Sequence, residues 1–150
     1  MTIGTICNHA VITTLPTATV LEAATLMRQH HVGDVVVVKD HQGKQIPVGI
    51  VTDRDVVVDL VATELDCRVI TVGDIMVTNL AVAKDSTGVL EAIQLMASKG
   101  VRRLPIVGDD GELVGIVTLD DVLLLLAKEL GALTKLVARE QKNETARRRS

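Results

Sequence analysis

The chain contains no Phe, Tyr or Trp among its 150 residues. Its core must therefore be assembled from Val, Leu, Ile, Ala and Met, and recognition of nucleic-acid bases on aromatic stacking platforms is excluded. Any purine it holds must lie between aliphatic side chains and backbone. Cysteine is equally scarce: Cys7 and Cys67 alone make no disulfide framework, and a reduced, cytoplasmic setting is expected. Charge of one sign is lacking too. A formal net charge of −3 offers nucleic acid no general attraction, and no nucleic-acid partner is expected. The Arg147-Arg148-Arg149 cluster reads as a solvated terminus. Although 47% of residues are hydrophobic, unbroken apolar runs such as Val122 to Ala127 fall far short of a bilayer span. No export signal is legible at the N-terminus, and no membrane partner is expected.

What is present is a repeat. A shift of 69 lays Gly4 on Gly73, Ile6 on Ile75 and Val20-Leu21-Glu22-Ala23 on Val89-Leu90-Glu91-Ala92. After a turn three residues longer in the first copy, the shift becomes 66. Val48-Gly49-Ile50-Val51-Thr52 then falls on Val114-Gly115-Ile116-Val117-Thr118, and Asp55-Val56 on Asp121-Val122. Two such copies can pack about a pseudo-two-fold axis and enclose equivalent clefts.

Each copy predicts the same elements, preceded by a short extended lead-in. Thr19 with Glu22 forms a capping-box pattern, and Val20, Ala23, Ala24 and Met27 follow helical spacing. Val35 to Val38 and Leu104 to Val107 read as strands buried on both faces. Turns follow at Asp40 to Gly43 and at Asp109 to Gly111. Second strands are expected near residues 48–51 and 114–117, and second helices from Thr52 and Thr118. The predicted organisation is repeat one over 1–62, a linker over 63–70 and repeat two over 71–130. Residues 131–150 form a tail, helical at first and unstructured from Gln141. The fold class is α/β with mixed sheets: two β-α-β-β-α repeats packed as a pseudo-two-fold pair.

The chemistry sits where the second strand meets the second helix, in Gly49-Ile50-Val51-Thr52-Asp53-Arg54-Asp55 and Gly115-Ile116-Val117-Thr118-Leu119-Asp120-Asp121. The glycine lets a ligand or another backbone approach closely. The threonine hydroxyl and first-turn amides can receive a phosphate or hydroxyl. A carboxylate three residues on can accept two hydrogen bonds from a ribose diol. Thr-x-x-Asp is also an acidic variant of the helix N-cap, and the two roles are compatible.

These blocks, with Val72-Gly73-Asp74-Ile75-Met76, the Leu-Glu-Ala-x-x-Leu-Met helices and Arg103-Leu104-Pro105-Ile106-Val107, resemble the CBS-domain (cystathionine-β-synthase domain) family. The likeness is to a stand-alone tandem pair of bacterial type and covers Ile3 to about Lys128. It implies clefts binding adenosine-containing ligands such as AMP, ATP, NAD or S-adenosylmethionine, and association into a homodimer. Carried over residue by residue, it assigns Thr52 and Asp55 to a cleft with Arg102, Arg103 and a contribution from Arg54. Thr118 and Asp121 share the other with Gly33 and Asp34. The base would rest on Leu80-Ala81 in the first cleft and Val11-Ile12 in the second. Guanidiniums suit phosphate oxygens whereas Asp34 repels them, so the first cleft is expected to prefer the more anionic ligand.

No metal site is expected. Cys7-x-His9 and His30-His31 lack the paired spacing of structural zinc. No nucleophile–base–acid arrangement is legible, and no catalysis is expected. The resulting expectation is a non-catalytic sensor module that acts on an unidentified target protein; the alternative is a dimerising scaffold or accessory subunit that requires no ligand.

Overall fold

A computed structural model describes residues 1–149. The chain forms two compact units, Met1–Val117 and the part from Thr118 onward. The first contains α1 (Ile3–Ile6), β1 (Thr13–Thr14), α2 (Val20–His30), β2 (Asp34–His41), β3 (Lys44–Thr52) and α3 (Asp53–Val56). The backbone leaves α3 through one wide π-helical turn, Val57–Val61. Then follow α4 (Val72–Ile75), β4 (Ala83–Lys84), α5 (Val89–Lys99), β5 (Arg103–Val107) and β6 (Leu113–Thr118). The second unit is the single helix α6 (Leu119–Arg149).

Two three-stranded mixed sheets result, ordered β1-β2-β3 and β4-β5-β6. In each, the short first strand pairs parallel with the second, Thr13 opposite Val36 and Ala83 opposite Ile106. In the first sheet β2 then pairs antiparallel with β3. Val38 lies opposite Pro47 while Val37 lies opposite Gly49, so Val48 is the extra residue of a bulge. A bulge accommodates a proline that cannot donate to the ladder.

The run Val35 to Val38 is buried on both faces, and its alternation divides the core. Val35 and Val37 pack with Ala23 and Met27 of α2, with Val51, and with Val72 from the other copy. Val36 and Val38 point the other way and meet Ile116, with Ile50, Val11 and Leu113 around them. Ile50 and Ile116 are repeat equivalents, so this second cluster joins the copies.

Helix α2 starts as the sequence predicts. The Thr19 hydroxyl accepts from the Glu22 amide (3.2 Å) and Glu22 Oε2 accepts from the Thr19 amide (3.0 Å). Four expectations are corrected. The lead-ins are not simply extended: each begins with a helical turn, α1 or α4, the latter closed by a Thr71–Asp74 capping box. The first hairpin is longer than expected, with Gln42 and Gly43 at positive φ as a two-residue turn. The valine run Val56-Val57-Val58 does not continue as α-helix; the Ala62 amide donates to the Val57 carbonyl (2.9 Å). Crowded β-branched side chains lower helix propensity, and the wider turn relieves them.

The tail differs as well. α6 continues through Gly131 and the polar residues from Gln141 to Arg149. Glycine costs about 1 kcal/mol in a helix, but the flanking Ala, Leu, Lys, Glu, Gln and Arg are strong helix formers. Among the described residues no helix is long and apolar enough to cross a membrane.

Candidate ligand-binding cleft

The Thr52–Asp55 block closes a complete capping box at the start of α3. The Thr52 amide donates to Asp55 Oδ2 (2.9 Å) and the Asp55 amide donates to the Thr52 hydroxyl (3.2 Å). Capping therefore uses one carboxylate oxygen. Asp55 Oδ1 receives no hydrogen bond from any described residue, and both Thr52 and Asp55 line a cavity of about 240 Å³. That is slightly below the roughly 300–1,000 Å³ of typical ligand pockets.

The opposite wall comes from the second copy and is positioned by a strand exchange. Ile50 on β3 exchanges both backbone hydrogen bonds with Val77, at 3.3 and 3.0 Å. Asn8 exchanges both with Ile116 on β6, each at 2.9 Å. Each sheet thus gains an edge residue from the other copy. This settles what the motif glycines do. A Cβ on Gly49 would stand 2.6 Å from Met76 Sδ and 3.0 Å from the Val77 carbonyl; one on Gly115 would stand 2.5 Å from Cys7 Sγ and 3.0 Å from the Asn8 carbonyl. The close approach is by backbone and sulfur. Burial raises the Cys7 thiol pKa, with a partly opposing backbone hydrogen bond and a further upward push from Asp85.

Past Val77 the exchanged segment carries Asn79, Leu80 and Ala81 along the cavity wall. Val101, Arg102 and Arg103 complete the lining where α5 leads into β5. The walls beside Ile50, Val77, Leu80, Ala81 and Val101 are aliphatic, as a chain without aromatic residues requires.

Thr52, Asp55, Leu80, Ala81, Arg102 and Arg103 are therefore brought together. Arg54 does not line this cavity; it is exposed, and its amide donates to Asp53 Oδ1 (2.8 Å). Asp34 does not stand as an uncompensated charge repelling anions. Its Oδ2 accepts from Arg103 Nε at 2.5 Å, with the side chains only 16% and 29% exposed. Asp34 and Arg103 are repeat equivalents under the shift of 69, so their contact lies at the pseudo-two-fold axis. Val11 packs on the cluster of Val36, Val38 and Ile116. Ile12 packs on the α2 side, and its carbonyl accepts from the Val36 amide (3.0 Å). Thr118 and Asp121 form their own capping box at the start of α6, at 3.0 and 3.2 Å.

Sequence reasoning missed Ile50, Val77, Asn79 and Val101 as lining residues. Ile50 lies within the Gly49-Ile50-Val51-Thr52 motif. Val77 and Asn79 carry no signal until the strand exchange is known. Cys7 and His9 lie within 3.9 Å of each other, but among the described residues no group of three metal-ligating side chains converges.

Comparison with known proteins agrees with this architecture. The CBS domain family model matches residues 3–61 and again 72–128. An uncharacterised protein of Methanopyrus kandleri, MK0525, is 41% identical over 82% of this chain. The chain spans 61% of that relative's length. The CBS domain-containing protein YhcV of Bacillus subtilis is 42% identical over 75% of this chain and 76% of its own length. Among solved structures, CBSX2 in complex with AMP superposes with a TM-score of 0.70 at 27% identity, covering 85% of this chain and 96% of that one. Two family matches, two equivalent sheets and the exchanged lead-ins have one explanation: the chain belongs to the CBS domain family, as a tandem pair of repeats.

Proposed function

We propose that the chain is a non-catalytic regulatory module that binds an adenosine-containing ligand, such as AMP, ATP, NAD or S-adenosylmethionine, in the cleft at Asp55. The observation that carries this reading is one cavity in which Thr52 and Asp55 of the first copy face Leu80, Ala81, Arg102 and Arg103 of the second. A ribose diol donates to the free Oδ1 of Asp55, the base lies on the aliphatic wall, and a phosphate lies towards the arginines. The complex of its structural neighbour CBSX2 with AMP supports the assignment. A ligand spanning both copies, in a cytoplasmic protein, can alter their relation and so reach a target protein, provided it binds one arrangement better than another.

Calorimetric titration with AMP tests this, because the proposal assigns a direct contact to Asp55. Asp55→Ala should weaken binding at least about tenfold, the usual scale for a hydrogen bond to a charged group. Asp74→Ala is the control: it removes an equivalent capping carboxylate away from this cavity and should leave affinity unchanged. Equal losses in both variants would show that Asp55 acts only through helix stability.

A dimerising scaffold is the second reading, favoured by α6. Leu119, Leu123, Leu126, Leu130, Leu133 and Val137 recur at alternating spacings of four and three, a heptad seam, and the last five are exposed. On this reading the seam pairs with that of a second copy. Leu130→Glu combined with Leu133→Glu should convert a dimer to a monomer in light scattering; an unchanged mass would rule the seam out.

A further inference from the structure

We infer that the Asp55 cleft selects against highly charged ligands, and that Asp34 is the residue that makes it do so. This deepens the nucleotide reading and rests on it. Two guanidiniums border the cavity, which by itself would favour a polyphosphate. Arg103, however, gives its Nε to Asp34 at 2.5 Å in a mostly buried pair. Its Nη2 lies 3.1 Å from the point where a Cβ on Gly33 would stand, and Asp53 Oδ2 lies 3.2 Å from the same point. Arg103 is thus paired with one carboxylate of the first copy, Asp34, and has a second, Asp53, nearby without an ion pair to it. Asp55 adds a third negative charge on the cavity wall itself. Arg102, exposed at the rim, is the only lining cation that has no carboxylate partner among the described residues.

A polyphosphate would bring three or more negative charges to a site with one uncommitted cation, and would compete with Asp34 for Arg103. A nucleoside monophosphate needs only Arg102 and the outer edge of the Arg103 guanidinium. The preferred ligand class is therefore a nucleoside carrying one phosphate. Asp34 acts through Arg103, as a specificity-determining residue.

Adenosine, AMP and ATP titrated calorimetrically into wild-type protein and Asp34→Asn test the inference. Wild-type protein should bind AMP more tightly than ATP. Asp34→Asn should raise the ATP-to-AMP affinity ratio by roughly tenfold, the order expected for removing one charge near a protein surface. Circular dichroism and melting establish that the variant is folded. Should it not fold, Arg102→Gln supplies the second arm, because losing the one lining cation without a carboxylate partner should remove most of the advantage of AMP over adenosine. Wild-type preference for ATP, an unchanged ratio in folded Asp34→Asn, or full AMP preference in Arg102→Gln would each overturn the inference while leaving nucleotide binding intact. If none of the three ligands binds wild-type protein, the nucleotide reading falls and takes this inference with it.

Discussion

Replacing Gly115 with alanine tests the Asn8–Ile116 strand exchange, the counterpart of the Ile50–Val77 exchange that positions the cleft wall. The new Cβ would stand 2.5 Å from Cys7 Sγ, 3.0 Å from the Asn8 carbonyl and 3.2 Å from Cys7 Cβ. The carbonyl belongs to a residue tied to Ile116 by two backbone hydrogen bonds, and cysteine has no long side chain to swing aside. Overpacking of this kind costs about 1–3 kcal/mol. The lower chain entropy of unfolded alanine offsets roughly 0.4–1 kcal/mol of that. At this chain length each net kcal/mol moves the melting midpoint by roughly 2–4 °C, so a fall of several degrees is expected. Gly49→Ala should cost less, because its nearest neighbour is the flexible end of Met76. The assay is urea denaturation at fixed protein concentration for Gly115→Ala, Cys7→Ala and the double variant. Removing the Cys7 sulfur should recover part of the loss, with a coupling of at least about 0.5 kcal/mol between two touching residues. Additive losses would refute the reasoning, since the sulfur would then not be what the Cβ meets.

The Thr71 amide holds the Asp74 carboxyl below its usual pKa range, with a further lowering from the Thr71 side chain. A carboxylate depressed on folding contributes stability above its unfolded pKa of about 3.9 and loses it as pH falls. Asp74→Asn should therefore lower the melting temperature near neutral pH, and the deficit should shrink below about pH 4. Gly131→Ala, in the interior of α6 with open space around its Cβ position, should raise helicity by circular dichroism and stabilise by up to about 1 kcal/mol. Cys7, buried and with its pKa raised, should react with iodoacetamide far more slowly in folded than in denatured protein, as mass spectrometry would show.

The repeat made most of the fold legible. Equal patterns at shifts of 69 and 66 predict equal elements, and the strand runs identify the layer buried on both sides. Edges were less legible, because they depend on partners distant in sequence. Nothing local says that Val77 pairs with Ile50 or that Asn8 pairs with Ile116, so the lead-ins read as merely extended. The Thr71-x-x-Asp74 spacing did carry the signal for α4, in the same form that marks α3. Valine-rich segments misled in the other direction: Val56 to Val61 has helical spacing but branched side chains that widen the turn. At the cleft, Thr52, Asp55, Leu80, Ala81, Arg102 and Arg103 line one cavity, but Arg54 does not, and Ile50, Val77, Asn79 and Val101 carried no separate signal. Charge was not predictable either, since the Asp34–Arg103 contact spans the whole repeat.

That contact has a counterpart. Lys44 pairs with Asp110 through exposed side chains, and these positions too are equivalents, under the shift of 66. Two residues related by a pseudo-two-fold axis can touch only near the axis. There an undiverged duplicate would set each residue against its own copy, aspartate on aspartate or arginine on arginine. Such a pair is repulsive, and a fused repeat can relieve it where two identical chains cannot, by changing one member alone. Opposite charges at both positions fit that route. The same change makes the two copies unequal in charge at this position, because Arg103 borders the Asp55 cavity while its counterpart is the carboxylate of Asp34. On the proposed reading, a difference in charge around the two motif blocks needs no separate cause: it follows from joining the halves by charge across their own axis.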